Sequence, residues 1–229
     1  MSNARHYIIT VDGPSGSGKS TVCRRVAARL GIGYIDTGAM YRCVAWATLQ
    51  QGIDLDDRKG LSRLLDEIDI RFQAAGTENL VLCNGSDVTR AIRTPEIDRL
   101  ASAVSAIDIV RQALLPLQRA AARNNSAIID GRDAGTVIFP EADLKIFLTA
   151  DLEVRARRRL QDQKDQDGID LESVMEAIRK RDRDDSSRAH APLKKAADAI
   201  TIDTSKLSID EVCERIINLV HTRILNQHD

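Results

Sequence analysis

Ile8-Ile9-Thr10-Val11-Asp12-Gly13-Pro14-Ser15-Gly16-Ser17-Gly18-Lys19-Ser20-Thr21 is the stretch whose reading decides the fold. From Gly13 to Ser20 it matches G-x-x-x-x-G-K-[ST]. An apolar, strand-like run over 7–11 precedes it and an amphipathic helical segment over 19–30 follows. That context separates a phosphate-binding P-loop from a glycine-rich turn with no ligand. Glycines tolerate positive φ and carry no Cβ, so such a loop wraps closely around phosphate oxygens. Successive backbone N–H groups and the start of the next helix face the anion. Gly13, Pro14, Ser15, Gly16, Ser17, Gly18, Lys19, Ser20 and Thr21 are therefore the expected nucleotide-binding residues. Lys19 is expected to bridge the β- and γ-phosphates, and Ser20 to offer its hydroxyl to Mg2+.

Working outward, four more short apolar runs read as buried strands: 34–36, 127–130, 144–148 and 199–202. Amphipathic segments lie between them at 41–51, 109–123, 152–163 and 208–225. Strands alternating with helices imply right-handed crossovers and a parallel sheet covered on both faces. The fold class is α/β, a doubly wound five-stranded parallel sheet. One stretch breaks the alternation. Runs at 68–73 and 80–83 with Asn84-Gly85, a strong hairpin signal, predict a small antiparallel insertion. Pro95 then opens a helix towards Ala106.

With 229 residues, the chain suits one α/β domain over 1–229 that carries small insertions. Its 43% apolar and 29% charged residues are those of a globular protein. The net charge of −1 points to neither a nucleic-acid polymer nor a membrane surface as partner. Cys23, Cys43, Cys83 and Cys213 form no C-x-x-C pair and do not cluster with the histidines, so neither a zinc site nor a disulfide framework is expected. No window of 18 apolar residues or signal peptide is evident, and the expectation is a cytoplasmic monomer.

A P-loop does not by itself separate kinases from GTPases or motors. The guanine-reading N-K-x-D is absent from the sequence. A nucleoside triphosphate carries about −4 and a nucleoside monophosphate about −2. One Mg2+ offsets only part of that, so guanidinium groups at loop edges are expected. Asp36-Thr37-Gly38-Ala39-Met40-Tyr41-Arg42 and Asp130-Gly131-Arg132-Asp133 follow predicted strands, where open α/β sheets bind ligands. A third run, Arg179-Lys180-Arg181-Asp182-Arg183-Asp184-Asp185-Ser186-Ser187-Arg188, reads either as an exposed helix with i,i+4 pairs or as a source of Arg181 and Arg188 for the site. Of the cluster Arg155, Arg157, Arg158 and Arg159, Arg157 and Arg159 read as a solvated helix face. Asp130 ends its strand like a Walker-B acid, which suits Mg2+ coordination through water and equally a turn carboxylate.

Together these stretches resemble bacterial cytidylate kinases, P-loop nucleoside monophosphate kinases. The resemblance is carried by residues 9–21, by Asp36 to Arg42, by Asp130-Gly131-Arg132-Asp133 with Gly135-Thr136-Val137-Ile138-Phe139-Pro140, by Lys145-Ile146-Phe147-Leu148, and by Arg181-Asp182 through Arg188-Ala189 to Ala191-Pro192-Leu193. It implies a cytoplasmic transferase of pyrimidine metabolism that moves the γ-phosphoryl group of ATP onto CMP or dCMP, with Mg2+ as cofactor. It further implies that Thr37, Arg42 and Arg132 hold the acceptor phosphate, that Ser102, Arg111 and Asp133 read cytosine, and that Arg181 and Asp185 contact the sugar. Arg188 would close over the phosphates and Arg158 would lie on the ATP side; Lys19, Arg42, Arg132 and Arg188 would be the catalytic set. The segment about 60–93 would be the monophosphate-binding insertion and about 155–190 the lid. Thr37 stands where serine is frequent and keeps the hydroxyl; Ala134 stands where a larger apolar residue is common. Independently, a carboxylate such as Asp133 accepts from cytosine's amine and repels uracil's O4.

Overall fold

The computed structural model describes residues 6–75, 78–162 and 170–225. The chain divides into two compact units, one spanning Ile35–Ala121 and the other formed by Met1–Tyr34 with Ala122–Asp229. The positions 163–169 within the proposed lid, and 76–77 within the proposed insertion, lie outside the described residues.

The larger unit contains a five-stranded sheet except for the last two residues of the sheet's second strand. In chain order its strands are β1 (Ile8–Asp12), β2 (Gly33–Asp36), β6 (Ala127–Gly131), β7 (Leu144–Thr149) and β8 (Ile200–Asp203), and in space they run β2-β6-β1-β7-β8. β1 pairs in parallel with β6 and with β7, and β7 with β8. Burial on both faces explains the unbroken apolar run of β1, where Ile9 and Val11 are fully buried. The register places Asp12 opposite both Gly131 and Phe147. The loops after β1 and β6 therefore leave the sheet at the same level, the edge at which such sheets bind ligands.

Helix α1 (Lys19–Leu30) follows the loop and ends where Gly31 takes a left-handed φ of 65° and its N–H returns to Ala27 O. It packs against α8 (Ile209–Val220), whose start carries a capping box between Ser208 and Glu211. Val22, Val26, Ile128, Ile146, Leu148, Val212 and Ile216 fill the core between sheet and helices. The helix expected to run to 225 is α-helical only to Val220 and continues as a π-turn over His221–Leu225. Helices α6 (Leu152–Asp162) and α7 (Leu171–Ser187) pack on each other through a small cluster of Ala156, Val174 and Ile178.

The second unit has its own core, including Met40, Val44, Leu64, Val81, Ile97 and Leu114. Helix α2 spans Thr37–Gln51, a full turn earlier than its hydrophobic pattern predicts, because Asp36 caps it by accepting from Ala39 N at 2.9 Å. Helix α3 (Arg58–Glu67) was not expected. Strands β3 (Ile70–Ala75), β4 (Glu78–Cys83) and β5 (Ser86–Asp87) form the antiparallel sheet. Asn84 and Gly85 both adopt positive φ, 49° and 78°, between paired Cys83 and Ser86, the conformation of a two-residue hairpin loop. Helices α4 (Pro95–Val104) and α5 (Asp108–Ala121) complete the unit. All four cysteines are buried and free. Among the described residues no single helix is long and apolar enough to cross a membrane.

Candidate active site

In the larger unit the loop between β1 and α1 is closed on itself. Pro14 O accepts from Lys19 Nζ at 2.8 Å and from Ser17 Oγ at 3.0 Å, and Gly13, Gly16 and Gly18 all carry positive φ. Lys19 is buried, and burial pulls its ammonium down to about 7, with the guanidinium of Arg132 adding to the shift. Such a lysine gains a counter-charge when a phosphate arrives.

Ser20 Oγ donates to Asp130 Oδ2 at 2.5 Å, and Tyr34 OH donates to the same oxygen at 3.4 Å. Among the described residues no group of three His, Cys, Asp or Glu side chains is placed to hold a metal ion. Mg2+ does not require one. It binds through one or two protein oxygens and substrate phosphates, and the adjacent hydroxyl and buried carboxylate of Ser20 and Asp130 are hard oxygen donors of that kind.

Arg158 lies beside the loop. Its two terminal nitrogens donate to Thr204 Oγ1 at 2.9 Å and Thr204 O at 2.7 Å, while Thr204 Oγ1 donates to Ser17 O at 3.2 Å. Burial lowers its pKa. Arg157 is the solvated residue the sequence suggests, exposed and paired with Glu153 at 2.6 Å.

A second cluster centres on Asp185, only 2% exposed. Its carboxylate accepts from Arg132 Nε at 2.9 Å and from Arg188. Burial alone would raise the pKa of Asp185, but the guanidinium groups of Arg132, Arg188 and Arg181 outweigh it and hold the carboxyl below its ordinary value. The arginine run of α7 thus divides by face: Arg179 and Arg183 make exposed pairs with Glu172 and Glu176, while Arg181, Asp185 and Arg188 belong to the buried network.

Asp133 is buried beside this network. The turn that follows it, Ala134–Ile138, is shaped by Asp12, which accepts from the N–H groups of Ala134 and Gly135, both at 2.8 Å. Burial pushes Asp12 up to about 6 against those two N–H groups, and the nearby charge of Asp133 adds to the rise.

The smaller unit holds the remaining candidates. Thr37 is buried in the first turn of α2. Arg42 pairs with Asp36 at 2.7 Å. Arg111, also buried, donates to Ser105 O at 3.0 Å and stands 5.4 Å over the ring of Tyr41, a cation–π contact that fixes the guanidinium plane. Ser105 Oγ donates to Ser102 O at 2.8 Å, which gives Ser102 and Arg111 a common neighbour. Tyr41 stands inside the Asp36–Arg42 stretch without a role assigned to it from sequence, and nothing in the local sequence singles out Ser105. Arg155 and Asp182 also have no role assigned from sequence: Arg155 is 8% exposed and bonded to Ala150 O and Ser15 O.

A family model for cytidylate kinase matches residues 9–222. The chain is 46% identical over 224 residues to a cytidylate kinase of Shouchella clausii, covering 96% of this chain and 99% of that protein. It is 48% identical over 221 residues to one of Syntrophotalea carbinolica, covering 96% and 94%. The chain belongs to the cytidylate kinase family. Among solved structures it resembles a gluconokinase from Sinorhizobium meliloti (TM-score 0.52, 13% identity, 98% and 100% covered) and an uncharacterized protein from Eubacterium ventriosum (TM-score 0.52, 16% identity, 96% and 100% covered). At those identities the likeness is one of fold, and the sequence relatives carry the family.

Proposed function

We propose that this chain transfers the γ-phosphoryl group of ATP to CMP or dCMP, giving CDP or dCDP and ADP, in cytoplasmic pyrimidine metabolism and as a monomer. The observation that carries the reading is the buried Lys19 within a closed phosphate loop, on a chain whose guanidinium groups gather at one buried carboxylate, Asp185. A triphosphate donor and a monophosphate acceptor, both anionic, require that supply of positive charge.

Gly13 to Thr21 bind the donor phosphates, with Arg158 on the donor side. Thr37, Arg42 and Arg132 take the acceptor phosphate; Ser102, Arg111 and Asp133 take the base; Arg181 and Asp185 take the sugar. Asp185 is the counter-ion that keeps Arg132 and Arg188 from being buried charges without compensation. Bound phosphates take over that part, and Arg188 turns to the transferring group. Ser20 and Asp130 would hold Mg2+, which supplies charge neutralisation on the phosphates. The acceptor phosphate oxygen is already anionic, so no strong general base is needed; the protein's work is positioning and electrostatic stabilisation of an in-line transfer. Closure of α6 and α7 excludes water and suppresses ATP hydrolysis.

An ATP-coupled assay with CMP, dCMP, UMP, AMP, gluconate and shikimate tests this. CMP and dCMP are the expected acceptors by kcat/KM. Turnover of gluconate or shikimate in preference to CMP refutes the acceptor, and turnover of none refutes the transferase.

A further inference from the structure

Helix α6 presses directly on the phosphate loop. A Cβ added at Gly16 would lie 2.9 Å from Arg155 Cβ and 3.0 Å from Arg155 O, and Gly16 has φ +76°. Both the conformation and the approach of α6 therefore demand glycine at this position. The same Arg155 reaches back along the loop. Its Nη1 donates to Ser15 O at 3.0 Å and to Asp182 Oδ2 at 2.5 Å, and its Nε donates to Ala150 O at 3.0 Å. Asp182, on α7, in turn accepts from Ser15 N at 3.4 Å through Oδ1. The backbone N–H and C=O of Ser15 are thus both engaged by one ion pair contributed by two other helices.

We infer that Arg155 and Asp182 form a positioning pair that sets the phosphate loop for the donor and ties it to α7. The planar trans peptide between Ser15 and Gly16 points its C=O and N–H in opposite directions. Fixing Ser15 O towards Arg155 therefore aims Gly16 N–H away from α6, and a small rotation of that plane would misdirect it. Asp182 lies one helical turn before Asp185, the carboxylate that holds Arg132 and Arg188. One helix consequently carries a tether to the donor loop and the hub of the guanidinium cluster. Burial favours such a role: the two side chains are 10% and 22% exposed, so the charge-assisted contact is little screened by solvent. Arg157, in the same helix, makes a pair of the same chemistry with Glu153 at 64% and 56% exposure.

The inference rests on the donor reading of the loop, and the test reads donor binding apart from turnover. Titration calorimetry with ADP is run on the whole protein, on Asp182→Asn, Arg155→Gln, the double variant, and Arg157→Gln. Asp182→Asn and Arg155→Gln are expected to bind ADP about tenfold more weakly, the double variant no more weakly than the poorer single, and Arg157→Gln like the parent. Asp182→Asn changes almost no volume and keeps an oxygen acceptor, and its far-UV circular dichroism at the titration temperature is expected to match the parent. ADP affinity within twofold of the parent in Asp182→Asn overturns the inference. If the parent binds ADP but phosphorylates no monophosphate, the proposed acceptor fails while the titration still decides the clamp.

Discussion

The ammonium of Lys19 is placed where water cannot solvate it, and its titration follows from that. Its pKa falls from 10.5 to about 7. Between those values the unfolded chain holds a proton that the folded chain has released. This group's contribution to the stability of the empty protein therefore rises with pH across that window, since the cost of a buried charge disappears. A bound phosphate reverses the preference by favouring the charged form. At pH 8 ADP binding is expected to take up close to one proton, measured by calorimetry in buffers of different ionisation enthalpy. Lys19→Met is expected to lose the uptake and all transfer while retaining the fold by circular dichroism. Absence of proton uptake in the parent would show that Lys19 is charged before the nucleotide arrives. Asp133 supports a second test at this scale. On the proposed base-reading role, replacing this buried carboxylate removes roughly 1–3 kcal/mol of discrimination. Asp133→Ala is expected to narrow the CMP/UMP ratio of kcat/KM; a parental ratio would place the base-reading carboxylate elsewhere.

At the scale of elements, Gly135 shows how the sheet shapes the loop that bears Asp133. A Cβ there would meet Thr10 Oγ1 at 2.7 Å and Asp12 Oδ2 at 3.3 Å. Thr10 is fully buried and β-branched, so it has no room to turn. Gly135→Ala is expected to destabilise by roughly 1–3 kcal/mol, the usual result of forcing atoms into a packed core, and to weaken CMP discrimination through the Asp12 bonds. An unchanged urea midpoint would show that the turn yields. Helix α1 was legible to the residue because a glycine stands at each end of it, Gly18 and Gly31. The start of α2 was not, because its cap, Asp36, reads in sequence as the end of a strand. Helix α3 was missed since its only fully buried apolar anchors are Leu61 and Leu64, set among charges. The site divides in the same way. Lys19 and Ser20 announce themselves through local spacing, whereas Arg155 with Asp182 and Arg132 with Asp185 are pairs 27 and 53 residues apart. Sequence places such residues on elements but does not select their partners.

For the whole molecule, the consequential fact is that the two units have separate cores drawn differently from the chain. The unit Ile35–Ala121 is continuous in sequence, while the other is assembled from both ends of the chain, with Ile8 of β1 opposite Ala127 of β6. A continuous unit with its own core is able to open while the other keeps its sheet intact, and regions opening independently differ in amide exchange. Leu114 is fully buried in the core of Ile35–Ala121, and Ile146 is 1% exposed in the core of the other unit. Truncating either leaves a cavity costing about 2–5 kcal/mol. Leu114→Ala is expected to accelerate exchange across α2, α4 and α5 while the amides of β1 and β7 keep parental protection; Ile146→Ala is expected to do the reverse. Equal acceleration throughout the chain in either variant would mean that the two cores melt as one, and that a substitution in one unit is felt in full by the other.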